Sequence, residues 1–183
     1  SAAVTISNNL TVSAGTLTIG ANNTSLSGTA DITGTLDIAA NIGTNNFGNI
    51  TVNNGGAWTV SSLSPANVSI SGNITNSGTF NVINTGAYTL TGSGKSIIAN
   101  NPVTIQNLTV SGTYTNNGTL TAAASLAGSG TLTQGASATL NIGERCVVAS
   151  AAEDGDDDWE LLVSVYNDAR RCVFRIDTGL DVI

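Results

Sequence analysis

One pattern, Gly-Thr/Ala-apolar-x-apolar, recurs along this chain and limits what it can fold into. It reads Gly15-Thr16-Leu17-Thr18-Ile19, Gly34-Thr35-Leu36-Asp37-Ile38, Gly56-Ala57-Trp58-Thr59-Val60, Gly78-Thr79-Phe80-Asn81-Val82 and Gly118-Thr119-Leu120-Thr121-Ala122, at intervals of 19, 22, 22 and 40 residues. The last interval is close to two units. A longer match joins residues 68–80 (VSISGNITNSGTF) to residues 108–120 (LTVSGTYTNNGTL), most positions being identical or alike in polarity. A repeat of about 20 residues follows, and repetition on this scale is the fold signal to satisfy first.

Within each unit apolar residues alternate with Thr, Ser or Asn, the period of two expected of a strand with one buried face. Thr, Val and Ile favour the pleated backbone, while Gly, Asn and Ser between the short runs supply turns. Residues 1–143 are therefore expected to be nearly all strand and turn. In a β-solenoid each unit is one coil paired with the next at about 4.8 Å, so that like residues stack in ladders; seven coils would make a rod roughly 34 Å long. The competing arrangements are an immunoglobulin-type sandwich, with strands of more distinct character around an aromatic anchor, and an interwoven trimeric fibre. Repetition favours the solenoid.

Charge points the same way. Of five basic and twelve acidic residues, only Asp31, Asp37 and Lys95 fall within residues 1–143; the others lie in residues 144–183. Like charges stacked a few ångströms apart repel, whereas stacked Asn, Thr and Ser can hydrogen-bond along a ladder. The sequence thus divides into a repeat rod, 1–143, and a charged segment, 144–183. Hydrophobic residues make up 40% of the chain but aromatic ones only 4%, so the core is built from thin layers of Leu, Ile, Val and Ala. A net charge of −7 argues against a nucleic-acid partner. No apolar run approaches the roughly 18 residues of a membrane helix, and no membrane insertion is expected. Ser1-Ala2-Ala3-Val4 lacks the basic and apolar regions of a signal peptide, which suits a mature end left by cleavage or a virion protein assembled inside a host.

The stretch 108–143 (LTVSGTYTNNGTLTAAASLAGSGTLTQGASATLNIG) resembles the Thr/Gly/Asn-rich β-helix repeats of large bacterial surface adhesins of the filamentous-haemagglutinin and autotransporter-passenger type. Similar repeats occur in phage fibres. The resemblance covers roughly residues 1–143 and is one of composition and rhythm, with no functional motif to transfer. It implies a stalk or adhesive surface, extracellular or on the cell surface, and in its phage version a virion component.

The charged segment contains three apolar runs, 146–149, 159–166 and 172–176, separated by the acidic stretch 153–158 and by Asn167-Asp168-Ala169. These are expected to form a small three-stranded antiparallel meander, the last two runs making a hairpin with Trp159, Leu161, Val163 and Val165 on one face. Such a piece caps the open end of a solenoid. Alternatively it docks the rod to a neighbouring subunit, a capsid, a cell wall or a receptor, with Arg170, Arg171 and Arg175 as the docking candidates; the two roles are compatible. Cys146 and Cys172 are the only cysteines. Paired, they would close a loop worth about 3 kcal/mol and imply an oxidising compartment; unpaired, they act as small hydrophobes.

Asp154, Asp156 and Asp158 have the carboxylate density that Ca²⁺ prefers, but the segment lacks the closing Glu and the alternation of a complete calcium loop, so a solvated acidic turn is the simpler reading. The three arginines can pair with these acids. Trp58, Tyr88 and Tyr114 occupy apolar positions of their repeats, which makes them core residues in preference to sugar-stacking platforms. Asn-x-Ser/Thr triplets such as Asn73-Ile74-Thr75 and Asn107-Leu108-Thr109 are what an Asn- and Thr-rich chain produces by composition alone. With no His, and two Asp and one Lys in the rod, neither an enzyme nor a cofactor is expected. The functional expectation is a non-enzymatic extracellular stalk or adhesin segment that self-associates through its ends into a homo-oligomer or polymer. The alternatives are a virion fibre or capsid-decorating protein, and a glycan-binding module.

Overall fold

Strands this short, each with one apolar face, cannot bury that face alone, and the chain solves the problem by winding. The computed structural model describes residues 3–20, 23–39, 44–61 and 67–143, and the backbone of 145–146, 161–167 and 170–176. The described residues between 3 and 143 form a parallel β-solenoid of about six turns, about 20 residues apart, with no helix among them. At about 4.8 Å per step the rod rises roughly 29 Å from the first turn to the last.

Each turn carries three strand segments and hence three faces. The first turn has them separately, as Val4–Ile6, Leu10–Val12 and Thr16–Ile19. Further along, strands run on through a corner. Thr24–Ile32 and Thr44–Val52 cover the first and second faces, while Thr79–Leu90, Val103–Val110 and Thr119–Ala127 cover the third face and then the first face of the next turn. The register shifts at such corners, between Leu26 and Thr29, Val82 and Ala87, and Ile105 and Asn107. Those shifts absorb the uneven repeat length, which ranges from 17 residues at Val103 opposite Leu120 to 24 at Ile50 opposite Ile74.

Inward positions stack into apolar ladders. On the third face one ladder runs Leu17, Leu36, Trp58, Phe80, Val103, Leu120, Leu140. On the first face another runs Ile6, Leu26, Phe47, Ile70, Leu90, Val110. Trp58 joins them: its ring stacks on Phe80 at 5.2 Å between centroids and meets the edge of Phe47 at 4.9 Å. Trp58, Tyr88 and Tyr114 are all fully buried, as their repeat positions predict.

Close stacking explains the glycines. Gly28, Gly48, Gly72, Gly92, Gly112 and Gly130 rise in a column where the first face turns into the second. A Cβ on Gly112 would overlap the Gly92 carbonyl oxygen, and one on Gly130 would overlap that of Gly112. The requirement here is room for the coil below, since none of these glycines has the positive φ that Gly15 and Gly55 adopt.

In the charged segment the expected hairpin is present. Leu161–Asn167 pairs antiparallel with Arg170–Ile176 in continuous register from Leu161 opposite Ile176 to Asn167 opposite Arg170. Of the first apolar run only Cys146 lies within the described residues: Arg145 and Cys146 pair in parallel with Ser125 and Leu126 of the rod. They follow those residues at the coil spacing of 20, so the parallel ladder continues past Gly143 into the charged segment.

Candidate functional site

Outward positions form the surface that a partner meets. Along the third face they read Thr18, Asp37, Thr59, Asn81, Thr104, Thr121, Asn141. Along the first face they read Thr5, Ser25, Asn46, Ser69, Thr89, Thr109. Rungs sit about 4.8 Å apart, close enough for side chains to interact along the ladder. Asn141 Nδ2, for example, donates to Thr121 Oγ1 at 3.3 Å. Apart from Asp37, which is nearly buried and bonded to Ser61, these arrays offer neutral donors and acceptors together with threonine methyl groups.

The charges of the rod are individually accommodated. Asp37 is 8% exposed and accepts hydrogen bonds from Ser61, backbone N–H to Oδ1 at 2.8 Å and hydroxyl to Oδ2 at 2.6 Å. Asp31 accepts from Asn53 Nδ2, and Lys95 is half-buried. Among the described residues no three His, Cys, Asp or Glu come together as a metal site.

Buried polar groups divide into satisfied and unsatisfied ones. Tyr114 Oη donates to the Ile70 carbonyl at 2.8 Å or to that of Gly72 at 3.1 Å, and accepts the Gly92 N–H at 3.2 Å. It thereby ties its own turn to the two turns below. Burial pushes its phenol up, the Gly92 bond partly offsetting this. Tyr88 is also pushed well up by burial, tempered by the nearby Trp58 indole, yet neither Tyr88 Oη nor Trp58 Nε1 reaches hydrogen-bond geometry with any described group.

Asparagine has a role that the sequence reading missed. The side-chain carbonyls of Asn9, Asn23, Asn49, Asn67 and Asn73 accept backbone N–H bonds from Thr29, Thr44, Asn73, Ala87 and Ser96, each one turn further along, at 2.9 to 3.0 Å. Fully buried Asn76 and Asn116 work at the corner between the second and third faces. Asn76 Nδ2 donates to the carbonyls of Asn101 and Pro102, and Asn116 Nδ2 to that of Thr139, while each Oδ1 accepts the amide of the glycine two residues on. The signal was in the sequence, because Asn76 and Asn116 align in the match between 68–80 and 108–120.

The site residues anticipated in the charged segment are only partly placed. Arg170, Arg171, Cys172 and Arg175 all lie on one hairpin strand, with backbones opposite Asn167, Tyr166, Val165 and Leu162 respectively. Cys146 stands at the register position of Leu126 on the first face. Asp154, Asp156, Asp158 and Trp159 lie outside the described residues. Comparison with protein-family profiles, with curated proteins and with solved structures found no match.

Proposed function

We propose that this chain is a non-enzymatic structural rod, an extracellular stalk or adhesin segment that associates with further copies through its ends. The observation that carries this reading is the surface: continuous ladders of Thr, Ser and Asn over an apolar core, with three charges in the rod. Such a surface suits repetition and lateral contact better than acid, base or phosphate chemistry. Burial of Trp58, Tyr88 and Tyr114 counts against sugar stacking as the main role. A virion fibre would use the same rod, with the segment carrying Arg170, Arg171 and Arg175 as anchor. In this reading Cys146 and Cys172 tie the charged segment in place.

Negative-stain electron microscopy of the purified chain, with and without reducing agent, tests the proposal. Polymers or bundled rods that fall apart on reduction are the expected result. Discrete short particles under both conditions would rule out self-association and leave a passive spacer.

A further inference from the structure

Asn-Gly occurs twice in this chain, as Asn54-Gly55 and Asn117-Gly118, both where the second face turns into the third. The chemistry of this dipeptide depends on whether the glycine nitrogen can reach the asparagine side chain, and the fold treats the two sites differently. The Gly56 N–H donates to the Asn53 carbonyl at 2.9 Å, closing a tight turn with Asn54 and Gly55 at its exposed tip. Gly55 has φ +82° and open space where a Cβ would be. At the other site the backbone is held. The Gly118 N–H donates to Asn116 Oδ1 at 3.3 Å, a Cβ there would overlap the Ala99 carbonyl, and the Asn117 N–H is bonded to the Ile97 carbonyl at 2.8 Å. The next residue already begins the strand Thr119–Ala127.

We propose that Asn54 is a site of spontaneous deamidation that the fold leaves open, and that the corner at Asn117 is protected. The deprotonated Gly55 backbone nitrogen attacks Cγ of Asn54, the new C–N bond closes a five-membered succinimide, and the side-chain nitrogen leaves as ammonia. Water then opens the ring at either carbonyl, giving aspartate or isoaspartate at position 54. One water enters, one ammonia leaves, and nothing is oxidised or reduced. The product places a new negative charge beside Asn53, whose amide is bonded to Asp31. Isoaspartate also inserts a carbon into the turn that joins two faces of the coil. The modification therefore acts as a slow clock on a rod otherwise nearly free of charge.

The test is to hold the full chain at mildly alkaline pH and physiological temperature and withdraw samples over weeks. Chymotrypsin cleavage after Phe47 and Trp58 isolates residues 48–58, and cleavage after Tyr114 and Leu120 isolates residues 115–120. Fragmentation mass spectrometry and isoaspartyl methyltransferase labelling then locate the change. In the folded chain Asn54 reacts at least about tenfold faster than Asn117, the factor set by breaking a hydrogen bond and shifting a fixed strand start. In denaturant the two react at similar rates. Equal rates in the folded chain, a faster Asn117, or a change located at Asn49 or Asn53 would overturn the proposal. Gly55→Ala, checked for folding by circular dichroism, hinders the attacking nitrogen and suppresses the signal; a signal that persists unchanged in that variant also overturns it.

Discussion

Tyr88 and Tyr114 are buried in the same core, and their hydroxyls meet opposite circumstances. Removing the Tyr114 hydroxyl strands the Gly92 N–H and leaves the Ile70 and Gly72 carbonyls without that donor. Tyr114→Phe is therefore expected to cost about 1 to 3 kcal/mol. The Tyr88 hydroxyl makes no hydrogen bond in the interior, so Tyr88→Phe removes a buried, unpaired polar atom and is expected to be neutral or stabilising, within about 1 kcal/mol. Equilibrium denaturation of both variants in urea checks the pair. Similar midpoints for the two would mean that the Tyr114 bridge contributes little. Sequence alone identified both tyrosines as core residues from their repeat positions. It could not separate them, because the acceptors of Tyr114 lie 42 and 44 residues away and become neighbours only when two turns stack.

At the scale of the element, the corners decide whether the coils can stack. Gly112→Ala is expected to destabilise the rod by at least about 2 kcal/mol or to prevent folding, because its methyl group would occupy the position of the Gly92 carbonyl. Gly20→Ala is the contrast. Gly20 has no positive φ and nothing within 4 Å of its missing Cβ, so the change should stay within about 1 kcal/mol and lean towards stabilising by restricting the unfolded chain. Thermal melts of the two variants followed by circular dichroism distinguish them, and comparable losses would show that glycine matters here for backbone freedom and not for space. The repeat spacing announced these corners. The reason for glycine was hidden, since Gly112 and Gly92 are separated by one full turn and their clash exists only after winding. The same holds for Cys146: it lies one coil length beyond Leu126 and pairs with it in parallel, a relation that exists only after winding.

Across the whole molecule, a stack of coils concentrates stability in its interior, where each turn depends on the turns above and below. Tyr88 and Tyr114 both have a turn stacked on either side, and burial raises both phenols above the ordinary value near 10, with Trp58 and the Gly92 N–H respectively offsetting part of the shift. A group whose folded pKa is raised contributes stability that is fully present below its unfolded pKa and is lost as pH rises towards the folded one. In that window the unfolded chain has released phenolic protons that the native rod still holds, so stability falls with pH by up to about 1.4 kcal/mol per unit for each phenol. Through these two phenols the rod is thus expected to lose stability as pH rises above about 10. A Tyr166→Phe background leaves Tyr88 and Tyr114 as the phenols observed, and ultraviolet absorbance can then be compared with far-ultraviolet circular dichroism through an alkaline titration. Phenolate should appear together with the loss of strand signal, and adding Tyr88→Phe should move that transition to higher pH, because one of the two protons released on unfolding is gone. Phenols that titrate near 10 while the strand signal persists would mean that solvent reaches the middle turns without opening the stack.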